Sequence, residues 1–235
     1  MIEIQALASG STGNCYRVTD GSTPLLLEAG IPFKQIRRGL NFGVSELAGV
    51  LVSHEHNDHC KAVPDMMKAG VNCYMSQGTA EALNLSGHRV RIIQPLQQFQ
   101  IGTWSILPFE TQHDAAEPLG FLLANQSGDK LLFATDTYYV KYKFVGLTHI
   151  MIECNYSLDI LRANVESGLV PQALKDRILQ SHFSLDNVKK FLKANDLSQV
   201  REIWLLHMSD GNSDAELFRR EIQEVTGKPV YVAGD

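Results

Sequence analysis

The sequence predicts an α+β fold in which two mixed β-sheets pack face to face with helices on the outside, and three observations carry that expectation. Short apolar runs punctuated by Gly, Asn and Ser dominate the first half of the chain, which is the rhythm of strands joined by turns. The second half is richer in helical periodicity, interleaved with further strand-like runs. No Pro/Gly/Ser-rich linker, solenoid-period repeat or low-complexity tract interrupts the 235 residues, so a single domain over 1–235 is expected. A sheet must bury one face against another layer, and many strands with interspersed helices fit two stacked sheets covered by helices.

In chain order, strands are expected near 2–8, 14–19, 24–28, 48–53, 71–75, 90–93, 103–109, 119–125 and 130–135. The last two flank Gln126-Ser127-Gly128-Asp129, whose turn chemistry signals a hairpin that delivers Asp136 just past a strand end. Helices are expected at about 59–69, 77–84, 157–167, 171–180, 184–195 and 213–226, with strands near 148–153, 201–206 and 229–232. Ser184 reads as an N-cap, and Ser213 with Glu216 as a full capping box.

Composition bounds the function. With 44% hydrophobic and 20% charged residues, the chain has the balance of a soluble globular protein. Met1-Ile2-Glu3-Ile4-Gln5 lacks a basic start followed by an apolar run, and no stretch has the apolar length of a membrane span, so no membrane association and a cytoplasmic location are expected. Cys15, Cys60, Cys73 and Cys154 form no C-x-x-C pair, which disfavours a disulfide framework or zinc knuckle and makes buried free thiols the expectation. A formal charge of −5 provides no global basic field for nucleic acid, although bound metal would add local positive charge that this count omits.

The chemistry concentrates in Ser53-His54-Glu55-His56-Asn57-Asp58-His59, directly after the buried-strand pattern Val50-Leu51-Val52. Imidazole nitrogens and carboxylate oxygens are ligands that borderline divalent ions accept, and alternate spacing lets His54 and His56 converge on one ion. Asp58 and His59 are then available to a second. An isolated H-x-H is a weak signal; four ligand-type residues in so short a window are a strong one. Three later residues sit at strand ends: His113 after Trp104–Phe109, Asp136 after Lys130–Ala134, and His207 after Ile203–Leu206. Each alone is as well explained by a loop or a turn.

The H-x-H-x-D-H pattern resembles the hallmark of the metallo-β-lactamase superfamily, and His113, Asp136 and His207 match that family's later ligands by order and local context. The resemblance implies a four-layer αββα sandwich with a dinuclear centre. It implies His54, His56 and His113 at the first ion, Asp58, His59 and His207 at the second, and Asp136 shared. Zinc is the first expectation for both ions, with manganese or iron as alternatives, since a His/Asp set suits each. His182 in Ser181-His182-Phe183-Ser184 resembles an auxiliary His of nucleic-acid-processing members, against the plainer reading of a helix-entry histidine. His88 and His149 carry no ligand pattern and read as structural, and Cys60 and Cys154 are not needed as ligands.

Within the superfamily the chain is most similar to the YycJ/WalJ-type, exonuclease-like branch and to prophage-encoded hydrolases. Leu7–Asn14, Glu153-Cys154-Asn155-Tyr156 and the two H-x-S segments at His182 and His207 carry that likeness. The Gly/Ser-rich stretch Ser9–Asn14 reads equally well as a strand connection or as a source of backbone N–H groups for a phosphate. Flavodiiron oxidoreductases have Glu where His56 stands, which disfavours redox chemistry. The spacing from Asp136 to His207 leaves no room for a β-CASP cap, and no long Gly/Pro-rich arm of the ribonuclease Z kind is present.

The expected activity is metal-dependent hydrolysis of a phosphodiester, DNA or RNA first among substrates. A water activated between two ions is the nucleophile, oriented by Asp58, with His182 assisting the leaving group. Two alternatives remain open: a hydrolase of small substrates such as cyclic nucleotides, thioesters or lactones, and a metal-binding regulatory module without catalysis.

Overall fold

The apolar runs form thirteen strands among residues 1–234, the part of the chain that the computed structural model describes, and these strands fall in two mixed sheets of six and seven. With eight α-helices the class is α+β, as expected. The residues group into two units. The first holds Met1–Glu110 and Ala115–Asp129 with Gly234; the second holds Thr111–Asp114 and Lys130–Ala233.

In the first unit the six-stranded sheet runs in chain order through β1 (Glu3–Ala8), β2 (Cys15–Thr19), β3 (Leu25–Leu27), β4 (Gly49–Leu51), β5 (Cys73–Met75) and β6 (Val90–Ile92). The first three strands pair antiparallel, and β3 to β6 pair parallel. Parallel strands are covered on both faces, so β3 and β4 are continuous and wholly buried. Helices α1 (Phe33–Gly39), α2 (Asn57–Cys60), α3 (Val63–Lys68) and α4 (Gln77–Ala82) follow these strands, with a single 3₁₀ turn at Val44–Glu46. Ile36, Val63 and Met66 pack from the helices into a core with Leu26, Val50, Val52 and Met75. An antiparallel meander of β7 (Phe99–Ile101), β8 (Trp104–Glu110) and β9 (Leu119–Asn125) completes the unit. Trp104 is wholly buried on β8, and its indole N–H is satisfied by the Thr23 carbonyl at 2.8 Å.

Three local departures from the sequence expectation have physical causes. The helix expected over 59–69 is two helices, because Pro64 supplies no N–H to continue α2 and the Ala62 N–H donates to the Ala29 carbonyl instead, at 2.8 Å. Helix α1 has a single buried residue, Ile36, so it shows no apolar stripe to read. Strand β7 likewise buries only Ile101 and is held by its pairing with β8.

The second unit contains the parallel strands β10 (Lys130–Ala134), β11 (His149–Glu153), β12 (Glu202–Leu206) and β13 (Val230–Val232). Its helices are α5 (Leu158–Glu166), α6 (Gln172–Ser181), α7 (Leu185–Ala194) and α8 (Ala215–Thr226). Ser184 caps α7 by accepting from the Asn187 N–H, as expected. The cap of α8 is Asp214 and not Ser213: the Ser213 hydroxyl donates to the Ser209 carbonyl at 2.6 Å, and the Asp214 carboxylate takes the Leu217 N–H. Because β10, β11 and β12 are parallel and in register, residues at their C-terminal ends gather on one edge. No helix among the described residues is long and apolar enough to cross a membrane.

Candidate metal centre

The sequence-expected ligands form two sets, one in each unit. In the first unit, the chain leaves β4 in extended conformation and enters α2 at His56, the N-cap residue. Extended backbone sends alternate side chains to the same side. The His54 and His56 rings accordingly lie 4.7 Å apart between centroids, and the first turn of α2 brings His59 to 4.2 Å from His54. Asp58 Oδ2 is 3.3 Å from His59 Nε2. Four ligand-type groups thus share one loop, with His54 and His59 buried.

Groups behind the loop set its orientation. Ser53 Oγ contacts His54 Nδ1 at 2.8 Å, which fixes the ring. Glu28, wholly buried just past β3, accepts from the Ser53 N–H at 3.1 Å, and its Oε2 lies 3.6 Å from His59 Nδ1. Burial pushes the Glu28 carboxyl up, and the His59 and Ser53 contacts only partly offset that rise. The Asn14 amide lies between 3.3 and 3.5 Å from the Asp58 carbonyl, the Asp58 carboxylate and His59 Nε2, while the Asn14 N–H donates to the Asp58 carbonyl at 2.7 Å. The Asn14 side-chain oxygen in turn accepts from Gly10 N–H and Tyr16 O–H, each at 3.0 Å.

Of the two readings of Ser9–Asn14, the structural one is therefore favoured. The N–H groups of Gly10, Gly13 and Asn14 are bonded within the protein. Gly30 has the same purpose from the opposite side, since a Cβ there would overlap the Asp58 carbonyl. Asn14 closes the Leu7–Asn14 stretch that carries the family likeness, but nothing in the sequence marked it as a partner of Asp58, and Gly30 carried no signal. Asn14→Ala is expected to weaken divalent-metal affinity roughly 10- to 100-fold, as loss of a ligand-orienting partner does, and to destabilise the metal-free protein by about 1–3 kcal/mol. Competition against a chromophoric chelator and urea unfolding measure the two effects; unchanged metal affinity would remove Asn14 from the site.

In the second unit, His113 Nδ1 donates to the Ser181 carbonyl at 2.9 Å, which directs Nε2 toward Asp136 Oδ2, 3.6 Å away. Burial is the main influence on His113 and holds its pKa below the ordinary histidine value. The other oxygen of Asp136 faces a different ring: Oδ1 is 3.3 Å from His207 Nδ1 and accepts from Thr135 Oγ at 2.8 Å. One carboxylate therefore presents its two oxygens to two separate histidines.

Glu153, at the end of β11, was not anticipated as a site residue. It is wholly buried and contacts His182 Nδ1 at 2.5 Å and His207 Nδ1 at 3.2 Å, while the Thr137 and Phe183 N–H groups donate to it at 2.9 and 3.1 Å. Ligand-type atoms of Asp136, Glu153, His182 and His207 all lie within 4.8 Å of one another. Burial alone would raise the Glu153 carboxyl, but the His182 charge and the hydrogen bonds from His182 and His207 outweigh it and hold the group low. Burial would likewise depress His182, and the facing Glu153 carboxylate overrides it and raises the imidazole. His182 ends α6 with its ring 5.4 Å from His113 and 5.5 Å from His207, so it belongs to the cluster. A signal did exist: Glu153 closes the apolar run Ile150-Met151-Ile152, and a wholly buried parallel strand has no bland use for a carboxylate.

Three of these residues hold left-handed backbone without being glycine: Glu28 at φ 63°, Asp136 at φ 38° and His207 at φ 51°. Each follows the last residue of a strand or lies just beyond it, which is where the chain must turn sharply to aim a side chain. The remaining candidates lie outside the clusters. His149 is buried against Thr148 Oγ and His88 is exposed. The Cys60 thiol donates to the Glu55 carbonyl and is pushed up to about 12 by burial, and burial raises Cys154 far above the ordinary thiol range. All four cysteines are free and buried.

The donor set consists of imidazole nitrogens and carboxylate oxygens with carboxylate and amide partners behind them, which fits divalent ions of the zinc, manganese or iron type. Comparison with known proteins agrees with that chemistry. Residues 25–208 match the family described as Beta-lactamase superfamily domain, and the chain belongs to that family. The chain is 28% identical to the protein named Exodeoxyribonuclease YycJ of Bacillus anthracis, over all of this chain and 92% of that one. It is 29% identical to Exodeoxyribonuclease WalJ of Streptococcus pneumoniae, over 90% of this chain and 83% of the relative. Among solved structures, the metallo-β-lactamase fold protein YhfI from Bacillus subtilis superposes with a TM-score of 0.75 at 15% identity, covering 99% of this chain and 95% of its own. The fold is thus that of the metallo-β-lactamases, a fold that implies divalent-metal binding.

Proposed function

We propose that the chain is a dinuclear metal-dependent phosphodiesterase acting on nucleic acid, as an exonuclease, with its two units working as one domain. The observation that carries the reading is the Asp136 carboxylate, whose two oxygens address two different histidines as a ligand shared by two ions would. In this proposal His54, His56 and His113 hold the first ion, Asp58, His59 and His207 the second, and Asp136 both. The exodeoxyribonuclease names of relatives matched over most of the chain support the substrate class.

Divalent ions held by these residues would supply Lewis acidity toward the phosphoryl oxygens and lower the pKa of water toward about 7. The protein's own groups do the rest. Asp58, anchored through its carbonyl by Asn14, orients the attacking water. The Glu153 carboxylate at Nδ1 raises the His182 pKa and so favours the imidazolium, whose Nε2 would donate a proton to the departing sugar oxygen. Glu28 lies behind the His59 ring, 3.6 Å from Nδ1, and Glu153 orients His182 through its Nδ1.

The test is incubation of the purified chain with zinc, manganese or iron and end-labelled single- and double-stranded DNA and RNA. Progressive shortening from an end, abolished in Asp58→Ala, is the expected result. Equal activity in Asp58→Ala would overturn the centre. Hydrolysis of a cyclic nucleotide or a thioester with no cleavage of any polynucleotide would overturn the substrate class.

A further inference from the structure

Directly after Asp136 the chain runs through Thr137-Tyr138-Tyr139-Val140-Lys141-Tyr142-Lys143-Phe144 without regular secondary structure. The segment is nonetheless fixed at both ends. Thr137 Oγ donates to the Tyr139 carbonyl at 2.8 Å and accepts from the Gln112 N–H at 2.9 Å. At the far end the Phe144 N–H donates to Asn195 Oδ1 at 2.8 Å, and the buried Phe144 ring packs against Phe191 of α7. Between these anchors Tyr138 and Tyr139 are 39% and 56% exposed, a large aromatic surface for a protein to leave in water.

The segment and α7 enclose a cleft of about 420 Å³. Lys141, Lys143 and Lys190 line it together with Tyr138, Tyr139 and Tyr142, and no carboxylate does. In a chain of net charge −5, this local excess of cations beside aromatic faces is a marked departure from the whole. The floor of the cleft is apolar, formed by Val140, Phe183, Phe191 and Ala194, and the charges around it are all cationic, which suits a polyanion that also offers unpaired base faces. Tyr138 also lines a second cleft, with His113 and the Arg177–Asp114 pair, so this residue joins the first cleft to one of the candidate ligands.

We propose that this cleft is a groove for single-stranded nucleic acid, in which an unpaired base stacks on Tyr139 while Lys143 and Lys190 meet the phosphates and Tyr138 guides the strand toward His113. The proposal rests on the nucleic-acid phosphodiesterase reading and specifies where its substrate lies. Stacking needs an exposed base face, so single strands are preferred over duplex, and the contacts are sequence-tolerant.

The test measures binding of fluorescein-labelled, phosphorothioate-linked oligothymidylate, oligouridylate and a duplex control to the metal-loaded full chain, by fluorescence anisotropy. Tyr139→Ala is expected to weaken single-strand binding roughly tenfold, whereas Tyr139→Phe, which keeps the ring, restores it. The double change Lys143→Ala with Lys190→Ala lowers the slope of log affinity against log salt by about 1.4, or about 0.7 per lost phosphate contact. For cleavable oligonucleotides these variants raise KM and leave kcat unchanged, and hydrolysis of bis-p-nitrophenyl phosphate stays at the wild-type level. If the wild type binds and shortens oligonucleotides while the variants match it in affinity and KM, the groove assignment falls and the phosphodiesterase reading stands. If the wild type binds no oligonucleotide, both fall. Loss of self-association by sedimentation in Tyr139→Ala, with oligonucleotide affinity unchanged, overturns the groove in favour of an interface between copies of the chain.

Discussion

Asp136→Asn is expected to lower hydrolysis of bis-p-nitrophenyl phosphate and of oligonucleotides by on the order of 10³-fold, about 4 kcal/mol of transition-state stabilisation. The substitution isolates charge from shape. Asparagine tolerates the left-handed backbone that Asp136 adopts at φ 38°. Its side-chain oxygen can still accept from Thr135 Oγ, which sits 2.8 Å from Oδ1. What it lacks is the second anionic oxygen, the one that faces His113 Nε2 at 3.6 Å. Metal analysis by mass spectrometry should therefore find fewer ions per chain than in the wild type, with the urea midpoint of the metal-free protein little changed. Full metal loading and full activity in this variant would refute a shared ligand at position 136.

Glu153→Ala is expected to have the largest effect on stability, a loss of about 3–5 kcal/mol, because it strips a buried charged partner from groups that stay buried. The carboxylate is wholly inaccessible and is approached by four donors: Thr137 N–H, Phe183 N–H and the Nδ1 atoms of His182 and His207. Alanine removes this acceptor from the Thr137 and Phe183 N–H groups and from His182 Nδ1, while His207 Nδ1 keeps Asp136 Oδ1 at 3.3 Å. Glu153→Gln keeps an acceptor and much of the volume, so its stability cost falls to about 1–3 kcal/mol, while metal affinity drops roughly 10- to 100-fold through the loosened His207 and His182 rings. Urea unfolding followed by circular dichroism in chelator-treated buffer separates the two variants. A Glu153→Ala protein as stable as the wild type would show that the four contacts contribute no net stability.

Much of this molecule can be read from sequence because its elements announce themselves locally. The strand ahead of His54 is a plain apolar run, and Ser184 is a cap followed by an amphipathic helix. The seven expected ligands fall in the two clusters in part because the family pattern orders them, and in part because parallel strands end on one edge, where Asp136 and His207 lie. What sequence could not disclose is the layer behind the ligands. Asn14 is 44 residues from Asp58, and Glu28 is 25 from Ser53, so nothing local links them. Glu153 was legible as part of a stretch that carries the family likeness and as an anomaly in a buried strand, but not as a partner of His182 and His207, and the conformation of Glu28, Asp136 and His207 is invisible in residue identity. The displaced cap of α8 shows the same limit on a smaller scale, since the Ser213 hydroxyl was already engaged by Ser209.

The left-handed backbone at those three positions bears on how such a chain would evolve. At Glu28 and His207 a non-glycine residue costs on the order of 1–2 kcal/mol relative to glycine, and less at Asp136, whose short polar side chain tolerates that backbone. A lineage relieved of the need to hold ions would gain stability by drifting to glycine at Asp136 and His207, and then at Glu28 once nothing remained for it to brace. Glu28, Asp136 and His207 are thus three places where side-chain placement at the candidate centre and folding stability pull in opposite directions.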